Sequence, residues 1–197
     1  MSLSGSHQQI IKQLALNIHP LSEVELMDFT QIWQPCQYNR KQLVTATGNV
    51  EKYLYIVVEG IQRVFYLDDE NREATLVFTY APSFGGVLDS LLLQQPAKYD
   101  YETLTPSLFL RANYTDLAAL MDKHKGIASL VQKGVSAATS GLLERLVEVQ
   151  CYSSEDRFKK LLKRSPHLLT LIPHKYIANY LGINPTNFSK LINQVKI

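Results

Sequence analysis

Three short runs, Tyr53 to Val58, Ile61 to Leu67 and Ala74 to Tyr80, are dense in β-branched and aromatic residues and are separated only by Glu59-Gly60 and by Asp68-Asp69-Glu70-Asn71. They read as consecutive antiparallel strands joined by turns. Further strands are expected at Cys36 to Val44, Tyr99 to Leu104 and Leu108 to Arg111, giving a β body over residues 30–112. Many short strands with turn signals between them predict a sandwich or jelly roll.

Helical spacing flanks this body on both sides. Ile10, Ile11, Leu14, Ala15 and Ile18, then Val24, Leu26 and Met27, recur at mostly helical intervals. His19-Pro20 divides them into two short helices, the second opened by a capping box of Ser22 and Glu25. Past Thr115-Asp116 a short helix covers Leu117 to Met121, and a long one runs from Ile127 to Cys151. Ile127, Val131, Val135, Ala138, Leu142, Leu146 and Val149 form one apolar stripe on it, flanked by Leu130 and Leu143. Gly134, Ala137, Ala138 and Gly141 keep its middle thin. A helix apolar on two faces needs two partners. A second copy of the chain, meeting it at Val131, Val135, Ala138 and Leu142, is one such partner. The other reading is a helix packed only on its own barrel.

Charge is distributed unevenly. The 197 residues hold 20 basic and 18 acidic side chains, a net of +2. From Arg157 onward there are eight basic residues (Arg157, Lys159, Lys160, Lys163, Arg164, Lys175, Lys190 and Lys196) and no Asp or Glu, so the first 156 residues carry 12 basic and all 18 acidic side chains. The carboxy-terminal part therefore suits a polyanion. No apolar run approaches the roughly 20 residues that cross a bilayer, and the amino terminus has neither a basic start nor an apolar leader. A cytoplasmic protein with no membrane partner is expected. Cys36 and Cys151 are too few for a disulfide framework or a four-thiolate cluster.

His174 to Asn193, HKYIANYLGINPTNFSKLIN, carries the functional signal. A helix-turn-helix needs a small residue where its helices touch, a turn residue able to adopt positive φ, and apolar residues between the helices. Ala178 and Gly182 meet the first two needs; Ile177, Leu181, Ile183, Phe188 and Leu191 meet the third. Asn184-Pro185 opens the second helix with a capping residue and a proline. On that helix Thr186, Asn187, Ser189 and Lys190 face outward as candidates for base edges and nearby phosphates. Lys175 joins them, and Lys159, Lys160, Lys163 and Arg164 supply sequence-independent attraction to the DNA backbone.

Over nearly its whole length the chain resembles the Crp/Fnr-type transcription regulators. Leu54-Tyr55-Ile56-Val57-Val58-Glu59-Gly60 is similar to the family's strand and glycine turn. Pro82-Ser83-Phe84-Gly85-Gly86 falls where its Phe-Gly-Glu loop lies, and Tyr176 to Pro185 follows its helix-turn-helix. The resemblance implies an α+β protein divided in three. Residues 1–125 would be a cyclic-nucleotide-binding-like jelly roll with flanking helices, 126–151 a dimerisation helix, and 152–197 a helix-turn-helix. It also implies a homodimer on palindromic double-stranded promoter DNA, in contact with RNA polymerase. Three departures stand out. Gly86 occupies the place of the family's ribose-holding Glu, and the loop around Lys98 offers no Arg for a cyclic phosphate. Thr186 and Lys190 replace the usual Glu and Arg, and the chain stops at Ile197, before a β-wing. The jelly roll is accordingly expected not to answer to cyclic AMP, and any effector would lie against Tyr80, Phe84, Gly85, Gly86, Lys98 and Tyr101.

An enzyme is the main rival class. The five histidines, His7, His19, His124, His167 and His174, all lie outside the expected barrel, which removes a cupin-like metal site, and no nucleophile elbow, P-loop or dinucleotide fingerprint occurs. No cofactor or metal is therefore expected. The alternative to a DNA-binding regulator is an effector-sensing jelly roll whose helical end contacts protein.

Overall fold

The computed structural model describes residues 3–194. Two capped helices, α1 (Gly5–Ile18) and α2 (Glu23–Gln31), precede the β body and part at His19-Pro20. Ser22 caps α2 by accepting from the Glu25 N–H, and Glu25 accepts from the Ser22 N–H at 2.9 Å, the reciprocal pairing read from the sequence.

Eight strands follow: β1 (Trp33–Tyr38), β2 (Leu43–Thr45), β3 (Tyr53–Glu59), β4 (Ile61–Leu67), β5 (Glu73–Tyr80), β6 (Ser83–Gly85), β7 (Asp100–Thr103) and β8 (Ser107–Asn113). They form two antiparallel sheets of four, ordered β1-β8-β3-β6 and β2-β7-β4-β5. The jelly roll is present, with two corrections. Cys36 to Val44 is not one strand: a turn at residues 39–42, with Lys41 at φ +63° and the Asn39 N–H donating to Gln42 Oε1 at 3.0 Å, carries the chain from one sheet to the other. Likewise β3 and β4 are consecutive but do not pair. Glu59-Gly60 is a corner between the sheets, where Gly60 takes φ +92° and any Cβ would meet the Pro106 carbonyl at 2.5 Å. Among the three runs only β4 and β5 make the expected hairpin, paired from Ile61 opposite Tyr80 to Leu67 opposite Glu73 with a register shift between Val64 and Phe65.

Helices fill the rest: α3 (Leu88–Leu93) between β6 and β7, then α4 (Tyr114–Lys123), α5 (Lys125–Cys151), α6 (Ser154–Arg164), α7 (Leu168–Leu171), α8 (His174–Leu181) and α9 (Pro185–Gln194). The sequence reading did not anticipate α3, α6, α7 or the short β6. Among the described residues no helix is long and apolar enough to cross a membrane.

Apolar burial forms three layers. Alternation along β3 sends Leu54 and Ile56 to one face, where they pack with Trp33, Leu110 and Ala112 against Ile11, Phe29, Ile127 and Leu130 of the helices. The opposite face sends Tyr55 and Val57 into the barrel, against Val64, Tyr101 and Phe109. The third layer joins the outside of the second sheet, through Ile61, Phe78 and Tyr80, to Phe158, Leu161, Tyr176, Ile177, Leu181 and Phe188 of the carboxy-terminal helices.

The helix-turn-helix is therefore seated on the barrel, with α8 lying on β5. A buried Arg63, 3% exposed, marks the seam. Its guanidinium donates to Glu102 at 2.9 Å, Glu73 at 2.8 Å and Thr75 at 3.2 Å, and lies 4.1 Å from the Tyr176 ring centroid. Burial opposes its charge, but the hydrogen bonds to Glu73 and Glu102 outweigh that penalty and hold its pKa above the ordinary value. Lys41 bridges Glu102, at 3.2 Å, to the Tyr176 hydroxyl.

Candidate nucleic-acid interface

The turn between α8 and α9 is built as the spacing requires. Gly182 adopts φ +62°, ψ +39°, its N–H bonds to the Asn179 carbonyl at 3.0 Å, and the Ile183 N–H bonds to the Ala178 carbonyl at 2.9 Å. Nothing lies within 4 Å of where a Gly182 Cβ would sit, so glycine serves the backbone angle there rather than a close contact. Ile177, Ala178, Leu181, Ile183 and Phe188 are all buried, and Asn184 caps α9 by accepting from the Thr186 N–H at 2.9 Å. Behind α9, the rings of Phe158 and Phe188 meet edge to face with centroids 5.3 Å apart, so α6 buttresses the second helix.

Thr186, Asn187, Ser189 and Lys190 lie exposed on α9, and Lys175 is exposed on α8. The Ser189 hydroxyl donates to the Pro185 carbonyl at 3.0 Å, which leaves its oxygen as an acceptor. The four basic residues read as backbone contacts all fall on α6 but differ in their partners. Lys159 pairs with Glu155 at 2.6 Å, while Lys160 and Arg164 approach Glu148 at 3.7 and 3.8 Å. Lys163 has no carboxylate within salt-bridge distance among the described residues. Lys196 and the position of any wing lie outside the described residues.

On α5, Val131 packs against the helical layer while Val135 and Ala138 are half-buried. Beyond them Leu142, Leu143, Leu146, Val147 and Val149 stand exposed, so one helix has a covered half and an uncovered apolar half.

The six residues assigned to an effector pocket do not gather in one place. Tyr101 is fully buried in the barrel, its hydroxyl 2.9 Å from Thr79 Oγ1, and burial pushes its phenol pKa up. A Cβ on Gly85 would press on the Tyr101 ring. Phe84 turns the other way, 6.2 Å from Trp33, and Lys98 is exposed in its loop. Tyr80 faces the carboxy-terminal helices, edge to face with His167 at 4.5 Å and hydrogen bonded to Ser165 at 2.5 Å. Next to Gly86 lies a carboxylate the sequence reading missed. Glu51 is buried, accepts from the N–H groups of Lys52 at 3.0 Å and Tyr53 at 3.2 Å, and is held by the Thr45 hydroxyl. Burial raises its pKa against these bonds. Its neighbour Lys52 makes the pair look like a solvated strand end, so nothing in the sequence marked it.

Residues 35–124 match the sequence profile of the cyclic nucleotide-binding domain. No curated protein matches the sequence significantly. Among solved structures, FixK2 from Bradyrhizobium japonicum superposes with a TM-score of 0.76 at 13% identity, over 83% of this chain and 84% of that one. The c-di-GMP responsive global regulator CLP from Xanthomonas campestris gives 0.64 at 16% identity, over 88% and 91%. The catabolite activator protein of Thermus thermophilus gives 0.57 at 19% identity, over 90% and 84%. At such identities the likeness is one of fold. With the strand order, the long α5 and the seated α8–α9 pair already described, the chain is similar over residues 35–124 to the cyclic nucleotide-binding domain and shares the overall fold of these three proteins.

Proposed function

We propose that the protein is a DNA-binding transcription regulator that grips palindromic duplex DNA as a homodimer through α9 and is not controlled by cyclic AMP. One observation carries this reading: α9 presents Thr186, Asn187, Ser189 and Lys190 to solvent from a buttressed helix that contains no acidic residue. An asparagine can pair bidentately with adenine, serine and threonine read either kind of edge, and lysine reaches guanine or phosphate. Lys163 and Lys175 supply sequence-independent attraction. Independence from cyclic AMP is supported by the barrel interior, where the Tyr101 ring fills the space beside Gly85 and the Glu51 carboxylate lies beside Gly86. A second copy is proposed to cover the apolar half of α5. The proposed boundaries remain near residues 125 and 151, with the third unit docked on the first.

Selection of bound duplexes from a random pool, followed by titration at several salt concentrations, tests the reading. Recovery of a two-fold symmetric motif with half-sites about one helical turn apart, and affinity that falls steeply with salt, is expected. Salt-independent binding, or recovery of no motif, would return the carboxy-terminal helices to a protein-contact role.

A further inference from the structure

On α5, Glu148 lies between Val147 and Val149 of the uncovered apolar half, yet it is itself only 5% exposed. Three cations surround its carboxylate: Arg145 at 3.2 Å, Lys160 at 3.7 Å and Arg164 at 3.8 Å. Two of them continue to one residue of α8. Arg145 donates to the Tyr180 carbonyl and lies 4.2 Å from the centroid of the Tyr180 ring, while Arg164 donates to the Tyr180 hydroxyl at 3.1 Å. The same ring rests on Phe78 of β5, centroid to centroid 5.0 Å. One carboxylate thus gathers cations of the long helix and α6, hydrogen bonded to Arg145 and in longer ion pairs with Lys160 and Arg164, and Arg145 and Arg164 carry the link on to Tyr180 in the first helix of the DNA-reading pair.

Building on the DNA-binding reading, we propose that Glu148 is a positioning residue that fixes the angle of α9 relative to α5, and that Lys160 and Arg164 serve this carboxylate rather than DNA phosphates. If α5 joins two protomers, that angle sets the separation of the two recognition helices. Half-site spacing is then specified by a residue that touches no DNA. Removing the carboxylate frees cations that it otherwise neutralises, so non-specific attraction rises as spacing selectivity is lost.

The full-length protein carrying Glu148→Gln tests this, because the substitution keeps the shape and deletes the charge. Against a selected duplex and a random one, the salt slope should steepen by about two for the two released cations, at roughly 0.9 per phosphate contact. Duplexes with half-sites moved apart by one or two base pairs should be bound nearly as well as the selected one. In the absence of DNA, amide exchange in α6 and α8 should quicken about tenfold while β3 and β8 are unchanged. In the otherwise native chain Lys160→Ala should leave the salt slope unaltered, whereas Lys163→Ala should reduce it by about one. The proposal is overturned if Glu148→Gln leaves slope and spacing preference unchanged and lowers affinity only in proportion to the folded fraction, or if Lys160→Ala acts as Lys163→Ala does. Should Glu148→Gln not fold, the comparison of the two lysine variants decides. Should the wild type bind no duplex, the DNA reading fails separately and amide exchange decides the positioning role, equal rates in both proteins overturning it.

Discussion

The Asn179 carboxamide completes the backbone pairing of Thr75, accepting from its N–H at 2.5 Å while donating to the Glu73 carbonyl at 2.6 Å. β5 pairs with β4 on one side only, so a side chain from the helix-turn-helix takes the place of the missing strand. Asn179→Ala would leave the Thr75 N–H, in a buried residue, without its partner, at a cost of about 1–3 kcal/mol. Urea unfolding should show that loss as a lower midpoint. An unchanged midpoint would mean that water replaces the carboxamide freely.

Acid should act on the same seam. The hydrogen bond from Arg63 holds the Glu73 carboxyl below the ordinary carboxylate range, despite partial burial. Its stabilisation is therefore present above the unfolded value, roughly 4.3, and is lost as pH falls through the lower folded value. Glu51 runs the other way, because burial raises its pKa: stability is withdrawn as pH climbs from the unfolded value through the raised one. Melting temperature followed from about pH 3 to pH 7 should show a shallower acid limb in Glu73→Gln and a shallower decline toward neutrality in Glu51→Gln. Parallel curves for both variants and the wild type would contradict these assignments.

Leu142 and Leu146, 52% and 51% exposed, should accept a charge in the isolated protomer but not in a paired helix. Leu142→Glu is expected to yield folded monomers in sedimentation, since an unpartnered charge in an apolar seam costs several kcal/mol, about 3–5. Val131→Glu should instead destabilise the protomer, because Val131 already packs on the helical layer. A dimeric Leu142→Glu protein would move the seam elsewhere.

Calorimetry with cyclic AMP and cyclic GMP should register no binding. A cyclic phosphate and a ribose each need charged hydrogen bonds worth about 1.5–3 kcal/mol, and the loop carries Gly86 and an exposed Lys98 in their place. Micromolar affinity abolished by Lys98→Ala would reverse this expectation.

Base readout and backbone attraction should separate by mutation. Asn187→Ala is expected to change sequence preference by about 1–3 kcal/mol, while Lys163→Ala weakens selected and random duplexes alike. Equal effects of Asn187→Ala on both duplexes would remove that residue from recognition.

The sequence made the local features legible because each rests on neighbours in the chain. The Gly182 turn, the Asn184 cap and the His19-Pro20 break all appear where backbone preference places them. What joins distant segments did not show. Glu59-Gly60 has the composition of a hairpin turn, and its role as a corner is decided by Pro106 packed against it. The α5 stripe was read as one seam, but α1 and the barrel layer cover its first half and leave the second open. Nothing in the sequence marked Glu148, Arg63 or Asn179, because their importance comes from partners on other elements, as far as Glu102 from Arg63 and Thr75 from Asn179.

A 27-residue α5 is a rod of roughly 40 Å at 1.5 Å per residue. Ile127 and Leu130 clamp one end in the barrel's helical layer, and the Glu148 cluster joins it to α6 and α8 near the other. A tilt of about 5° at the clamped end sweeps the far end by roughly 3.5 Å, close to the rise of a single base pair. On the DNA-binding reading proposed above, such a helix would act as a ruler with a magnifying arm: a displacement too small to disturb the packing around Ile127 would become, at a duplex, the difference between matching a half-site and missing it by one step.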